Sequence, residues 1–245
     1  MNAALASAAT LVAVAFALGT LDRWSRSRRP HELAWTISML LFAVGSSALW
    51  WAESAGWSLG AFRVFYTAGA VLNVPWLALG TVYLLAGTTV GDHVRTWLLL
   101  LSGLTVGVVM FSPTRTNIVP DEFPTGKDVF GVAPRVLAAV GSGLAATIII
   151  AGALWSAARV SRGRSPSLGA TRIVAAPARL VAANLLIAVG TLILSGSGLL
   201  AGRLGKDRAF AVTLLVGVVV LFAGFLTAGA PSRRRQNVTD LRRVA

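Results

Sequence analysis

Between its charged residues the chain carries seven uncharged stretches, at 1–21, 33–52, 64–91, 96–114, 136–158, 180–202 and 209–232. An α-helix rises 1.5 Å per residue, so about 20 apolar residues cross the ~30 Å hydrocarbon core of a bilayer. Inside that core every backbone N–H and C=O needs a partner within the protein, which leaves helices or closed barrels. None of the seven runs alternates polar and apolar residues with the period of a barrel strand, so helices follow. The expectation is an all-α integral membrane protein of seven transmembrane helices, at about 1–21, 33–52, 64–87, 96–112, 136–158, 180–202 and 209–231. They form one transmembrane domain over 1–232, followed by a basic tail at 233–245. Composition agrees: 13% of residues are charged and 56% hydrophobic, against roughly 25% charged in soluble domains.

Orientation follows from the cations. Fifteen of the 22 Lys and Arg residues fall on one side of the expected map: Arg23 to Arg29, Arg95, the 159–179 link, and the tail. Seven fall on the other: Arg63, Arg115, Lys127, Arg135, Arg203, Lys206 and Arg208. The positive-inside rule then places the N-terminus outside and the tail in the cytoplasm. The basic link RLGKDR between the last two spans runs against this trend. Tryptophans favour the interface, and Trp24, Trp35, Trp97 and Trp155 fall near expected inner ends, Trp50, Trp51 and Trp57 near outer ones. Only Trp76 is deep.

The first span lacks a basic n-region and carries its small residues, ALASAA, ahead of the apolar core, so it reads as an uncleaved N-out segment. No cysteine is present, which excludes disulfides, thiolate nucleophiles and Cys-ligated metals. The net charge of +13 flanks the spans. There it sets orientation and attracts anionic lipid headgroups rather than nucleic acid. SRSRRP after the first span and SRGRSP after the fifth hint at a parallel repeat of spans 1–3 and 5–7.

The stretches FRVFYTAGAVLNVPWLALGTVYLLAG and HELAW, with 20 Arg against 2 Lys, resemble multi-pass membrane proteins of high-GC actinobacteria that have no assigned function. The resemblance covers most of the chain, implies the cytoplasmic membrane of a bacterium, and brings no catalytic or binding residue with it.

Chemistry-bearing groups are sparse. There is no GxSxG elbow and no cofactor motif, and no enzyme activity is expected. His31 with Glu32, and Asp92 with His93, offer two of the ligand types a metal needs but no third strong ligand. Gly103 and Gly107, and Gly198 and Gly202, have GxxxG spacing suited to helix contacts within the chain. The GSG at 141–143 and SGSG at 195–198 suit close packing in the same way.

The exception is NVPW at the centre of the third span. Pro75 has no N–H and clashes with the carbonyl of Val71, so the helix is expected to bend there, with Asn73 serving freed backbone groups. If the bend opens an outward-facing cavity, its walls would be Tyr66, Asn73 and Trp76 from the third span, Ser46 and Glu53 from the second, and Ser195 from the sixth. Arg63 would pair with Glu53 at the rim. The proline-rich segment 113–134 would cover the mouth. The function expected of such a site is binding or transport of a small, partly apolar molecule or lipid. A sensor or accessory subunit, meeting a membrane-protein partner through its basic loops and tail, is the alternative, and an intramembrane enzyme ranks behind both.

Overall fold

The computed structural model describes residues 2–162, 177–200 and 206–229. Among these the chain is helical apart from its connections and one isolated bridge, Thr114 to Phe130. The elements are α1 (Asn2–Ser27), α2 (Pro30–Ala55), α3 (Leu59–Phe65), a π-helix (Tyr66–Leu72), α4 (Asn73–Phe111), α5 (Gly126–Val129), α6 (Val132–Ser161), α7 (Pro177–Leu200) and α8 (Lys206–Gly229). The tail, the link RLGKDR up to Gly205 and most of SRGRSP lie outside the described residues.

Local chemistry sets the boundaries. Pro30 opens α2, a first-turn position where its missing N–H costs nothing. Gly56, at φ 92°, ends the same helix. Ser58 caps α3 by accepting from the Ala61 amide.

Among the described residues five segments are long and apolar enough to cross a membrane: Ala3–Ser27, Pro30–Ala55, Leu59–Phe111, Val132–Arg159 and Phe210–Thr227. In α7 the apolar stretch Val181–Gly196 is shorter. Leu59–Phe111 has 53 residues; straight, it would reach ~80 Å, far beyond the bilayer core. It folds back instead at Gly87, whose φ of 83° and ψ of −179° suit a residue without Cβ. Three contacts fix the antiparallel register of the two arms: Arg63 Nη2 to Ser112 O at 2.8 Å, Trp76 Nε1 to Ser102 Oγ at 3.2 Å, and Tyr83 Oη to Asp92 Oδ1 at 2.8 Å. The polar loop expected between the third and fourth spans is thus a one-glycine reversal, with TTVGDHVR forming the first turns of the second arm.

The long helices pack in a closed order, α1 on α2, α2 on α4, α4 on α6, α6 on α7, α7 on α8, and α8 back on α1. The first arm of α4 takes that helix's place in the ring. Leu77 and Ala78 meet Phe16, Trp35, Met39, Ile149 and Phe225 there. The second arm lies outside, with Leu100, Leu104 and Phe111 exposed.

Glycine packing differs from the expectation. A Cβ on Gly103, Gly107, Gly143 or Gly196 would meet nothing within 4 Å, so these glycines make no close helix contact within the described residues. The tight crossings are Gly45 of α2 on Gly69 of the π-helix, and Gly190 of α7 on the backbone of α8 at Leu221. Two tryptophans expected at the interface are also buried: Trp35 in the ring and Trp57 at the end that carries the 112–131 connection.

Candidate functional site: a lateral groove beside Pro75

The sequence NVPW produces a change of helical register. The Asn73 amide bonds to Ala68 O, five residues back, at the end of the π-helical stretch. Continued two steps, this register would assign the Ala70 carbonyl to residue 75, and Pro75 has no N–H to give it. The hydroxyl of Ser142 on α6 supplies the missing donor, 2.6 Å from Ala70 O. The wider π turn thus ends just ahead of Pro75, and α4 continues through it.

Asn73 is buried and accepts from Ser38 Oγ at 2.7 Å through Oδ1, tying the π–α junction to α2. Trp76 is buried, its indole N–H spent on Ser102. The Tyr66 ring packs against Phe62 and Phe130, with its hydroxyl 3.5 Å from Pro134 O. Ser46 donates to Phe42 O and accepts from Thr10. Glu53 is half-buried at the end of α2, and no ion pair joins it to Arg63 among the described residues, because that guanidinium turns to Ser112 O. Ser195 is exposed on α7.

The region expected to be an outward-facing cavity is filled. Trp57, Phe62, Phe65, Tyr66, Phe130 and Phe210 form one apolar cluster there, and Phe123 of the connection inserts against it. Its ring lies 5.1 Å from Trp57, 5.9 Å from Phe65 and 5.2 Å from Phe210, within the span of favourable aromatic pairs. Backbone bonds from Trp57 N to Pro120 O and from Arg115 N to Val129 O hold the connection down. The segment is ordered, as its prolines suggest, but it plugs the helix ends rather than roofing a void.

An open space lies instead to the side. A groove of about 420 Å³ runs between the two arms of α4 and the first half of α6. One wall is Val71, Leu72, Pro75, Ala78, Leu79 and Val82; the second arm adds Val94 to Thr105, and α6 adds Val136 to Ile148. Small residues create it: Gly141 faces Pro75, with a Cβ position 3.9 Å from its ring, and Ala78 and Ala145 stand where larger side chains would close the gap. Exposed Trp97, Leu101, Val140 and Leu144 form its rim. No charged residue lines it; Ser102 and Thr105 are its hydroxyl-bearing residues. None of Ser46, Glu53, Tyr66, Asn73, Trp76 and Ser195 belongs to the lining, although Trp76 touches it through Ser102.

At the Gly87 end, Glu32 is held by Arg23 Nε at 3.0 and 3.1 Å with His31 beside it, whereas His93 Nδ1 lies 2.7 Å from Thr89 O. Among the described residues no three metal-ligating side chains gather. Comparison of the chain with family models, with curated proteins and with solved structures finds no match.

Proposed function

We propose that the chain is a seven-crossing membrane protein that takes an elongated apolar molecule from the bilayer into the lateral groove. Two crossings come from Leu59–Phe111, folded at Gly87, and one from the short apolar stretch of α7. The N-terminus is outside and the Gly87 end faces the cytoplasm of a bacterial cell, in accord with the positive-inside rule. Because the chain has no cysteine, this topology is directly testable. A cysteine placed at Ser58 should react with an impermeant maleimide on intact cells, and one at Arg28 only after permeabilisation; the reverse pattern overturns the orientation.

One observation carries the binding reading: a groove of ligand size, apolar apart from Ser102 and Thr105, opens through exposed side chains toward the lipid-facing surface. Water has no favourable place in such a space, and a hydrocarbon chain fits its chemistry. The reading is of a binding site, with no catalytic role assigned to any residue. At the Gly87 end Arg28 stacks on Trp24 at 4.6 Å and Arg159 on Trp155 at 4.8 Å. These pairs suit anionic headgroups, and an accessory-subunit role would use the same surface.

An alkyl diazirine incorporated into the bilayer and photolysed is expected to label peptides from 94–105 and 136–148. Gly141→Leu, which fills the groove opposite Pro75, should cut that labelling several-fold with little change in thermal stability. Labelling spread evenly over all exposed helices, and unchanged in the variant, would remove the groove as a site.

A further inference from the structure

Within the groove one hydroxyl is left over. Ser102 Oγ donates to Leu98 O at 2.7 Å and accepts from the Trp76 indole, so its proton and a lone pair are committed. Thr105 also lines the groove, is 3% exposed, and has no hydrogen-bond partner among the described residues. Thr67 in the π-helix shares this lack of a partner, but it does not line the groove, and five other threonines behave differently. Thr20, Thr36, Thr147, Thr191 and Thr227 each donate to the carbonyl four residues back, which satisfies the hydroxyl inside its own helix. A buried hydroxyl without a partner is costly where water is excluded, so the vacancy at Thr105 calls for an acceptor from outside the chain.

We propose that Thr105 is the polar anchor of the groove, donating its hydroxyl proton to a carbonyl oxygen on an otherwise apolar molecule. The inference rests on the groove reading and specifies the ligand's chemistry. A carbonyl fits better than a ligand hydroxyl or amide, since it matches a lone donor directly, whereas those bring a further donor of their own into an apolar space. Thr105 lies six residues before the end of α4, ~9 Å along the helix, and Val94 lies ~16 Å further toward Gly87. The ligand's carbonyl therefore sits toward the end that carries the 112–131 connection, and its apolar chain runs toward the Gly87 end. Two membrane components have this form, an acyl ester and an isoprenoid quinone.

The two sources and the anchor separate in one competition experiment. Reconstituted full-length protein is photolabelled with the alkyl diazirine in the presence of methyl palmitate, a short-tailed isoprenoid quinone, or hexadecane. For Thr105→Val, which keeps the side chain's shape, the concentration of the carbonyl-bearing competitor giving half-displacement should rise roughly 3- to 10-fold, the worth of one neutral hydrogen bond. That of hexadecane should stay the same. Whichever of ester and quinone shows the rise identifies the source. Equal competition in wild type and Thr105→Val by both carbonyl compounds overturns the anchor, as does an equal loss for hexadecane, which would mean a damaged groove. Absence of groove labelling in the wild type is a different failure, that of the groove reading itself. Thr105→Ser, which restores the donor, should restore carbonyl competition.

Discussion

Truncating Phe62 to alanine is expected to lower the unfolding free energy by roughly 3 kcal/mol, the lower end of the range for buried Phe→Ala changes. Phe62 is 1% exposed and sits among Trp57, Phe65, Tyr66 and Phe130, with ring centroids 5.4 to 6.3 Å away. Removing its ring leaves a void that no single neighbour can fill, because each of those rings is fixed by others in the cluster. The lower end of the range applies because lipid solvates a freed phenyl ring nearly as well as the core does, leaving lost packing as the main term. Unfolding in mixed micelles measures the loss. Phe111→Ala, which removes a ring 88% exposed on the second arm, serves as the control with an expected change near zero. The connection should loosen in step. Phe130 stacks on Phe62 with its ring plane tilted by 21°, and the adjoining Val129 carbonyl receives the Arg115 amide, so proteolysis within 113–131 should accelerate in the Phe62 variant only. Equal stability of the two variants would show that the cluster is ornamental to the fold.

Much of the helical plan is legible in the chain because the bilayer imposes one simple length rule on apolar runs. Apart from residue 1, outside the described residues, the first two expected spans, 1–21 and 33–52, lie within α1 and α2, and the extra turns come from polar residues that continue a helix at its ends, such as Asp22 to Ser27. Gly87 was harder to see, since TTVGDHVR has the composition of a loop and nothing in it states that one glycine suffices for the reversal. The groove is the part least legible in the sequence. Asn73, Ser46 and Tyr66 stand out in an apolar sequence because polar groups are rare there. Rarity marks them equally for structural work, and each bonds another part of the chain. The groove is built from the opposite signal, residues that are small and unremarkable. Ala78, Gly141 and Ala145 make space only because their helices face each other, a relation that no single run of sequence contains. Pro75 is the useful clue, since it marks the level at which the groove lies, and close by Ser142 of α6 donates to the Ala70 carbonyl.

Gly80→Ala carries the second large expected effect. A Cβ at this position would penetrate the Trp35 indole, falling 2.7 Å from Cε2 and closer still to Nε1 and Cδ1. The indole cannot easily withdraw: its other side meets Phe225 edge-on at 4.5 Å and His31 at 5.1 Å, and it is 8% exposed in the centre of the ring of helices. Overpacking of this kind costs up to ~3 kcal/mol, and here it separates the first arm of α4 from α2. The origin of the cost can be isolated, because Trp35 brings little polar stabilisation of its own. Its Nε1 is buried without a hydrogen-bond partner among the described residues, so Trp35→Leu loses packing but also relieves an unsatisfied donor. In the Trp35→Leu background the added methyl of Gly80→Ala enters space the indole has vacated and should be nearly neutral. A double-mutant cycle on unfolding free energies should therefore return a coupling of roughly 2 kcal/mol, with the double variant more stable than the two single losses predict by addition. Additive losses would mean that Gly80 is required for its backbone rather than for the room it leaves, and that the first arm meets α2 by some contact other than this indole.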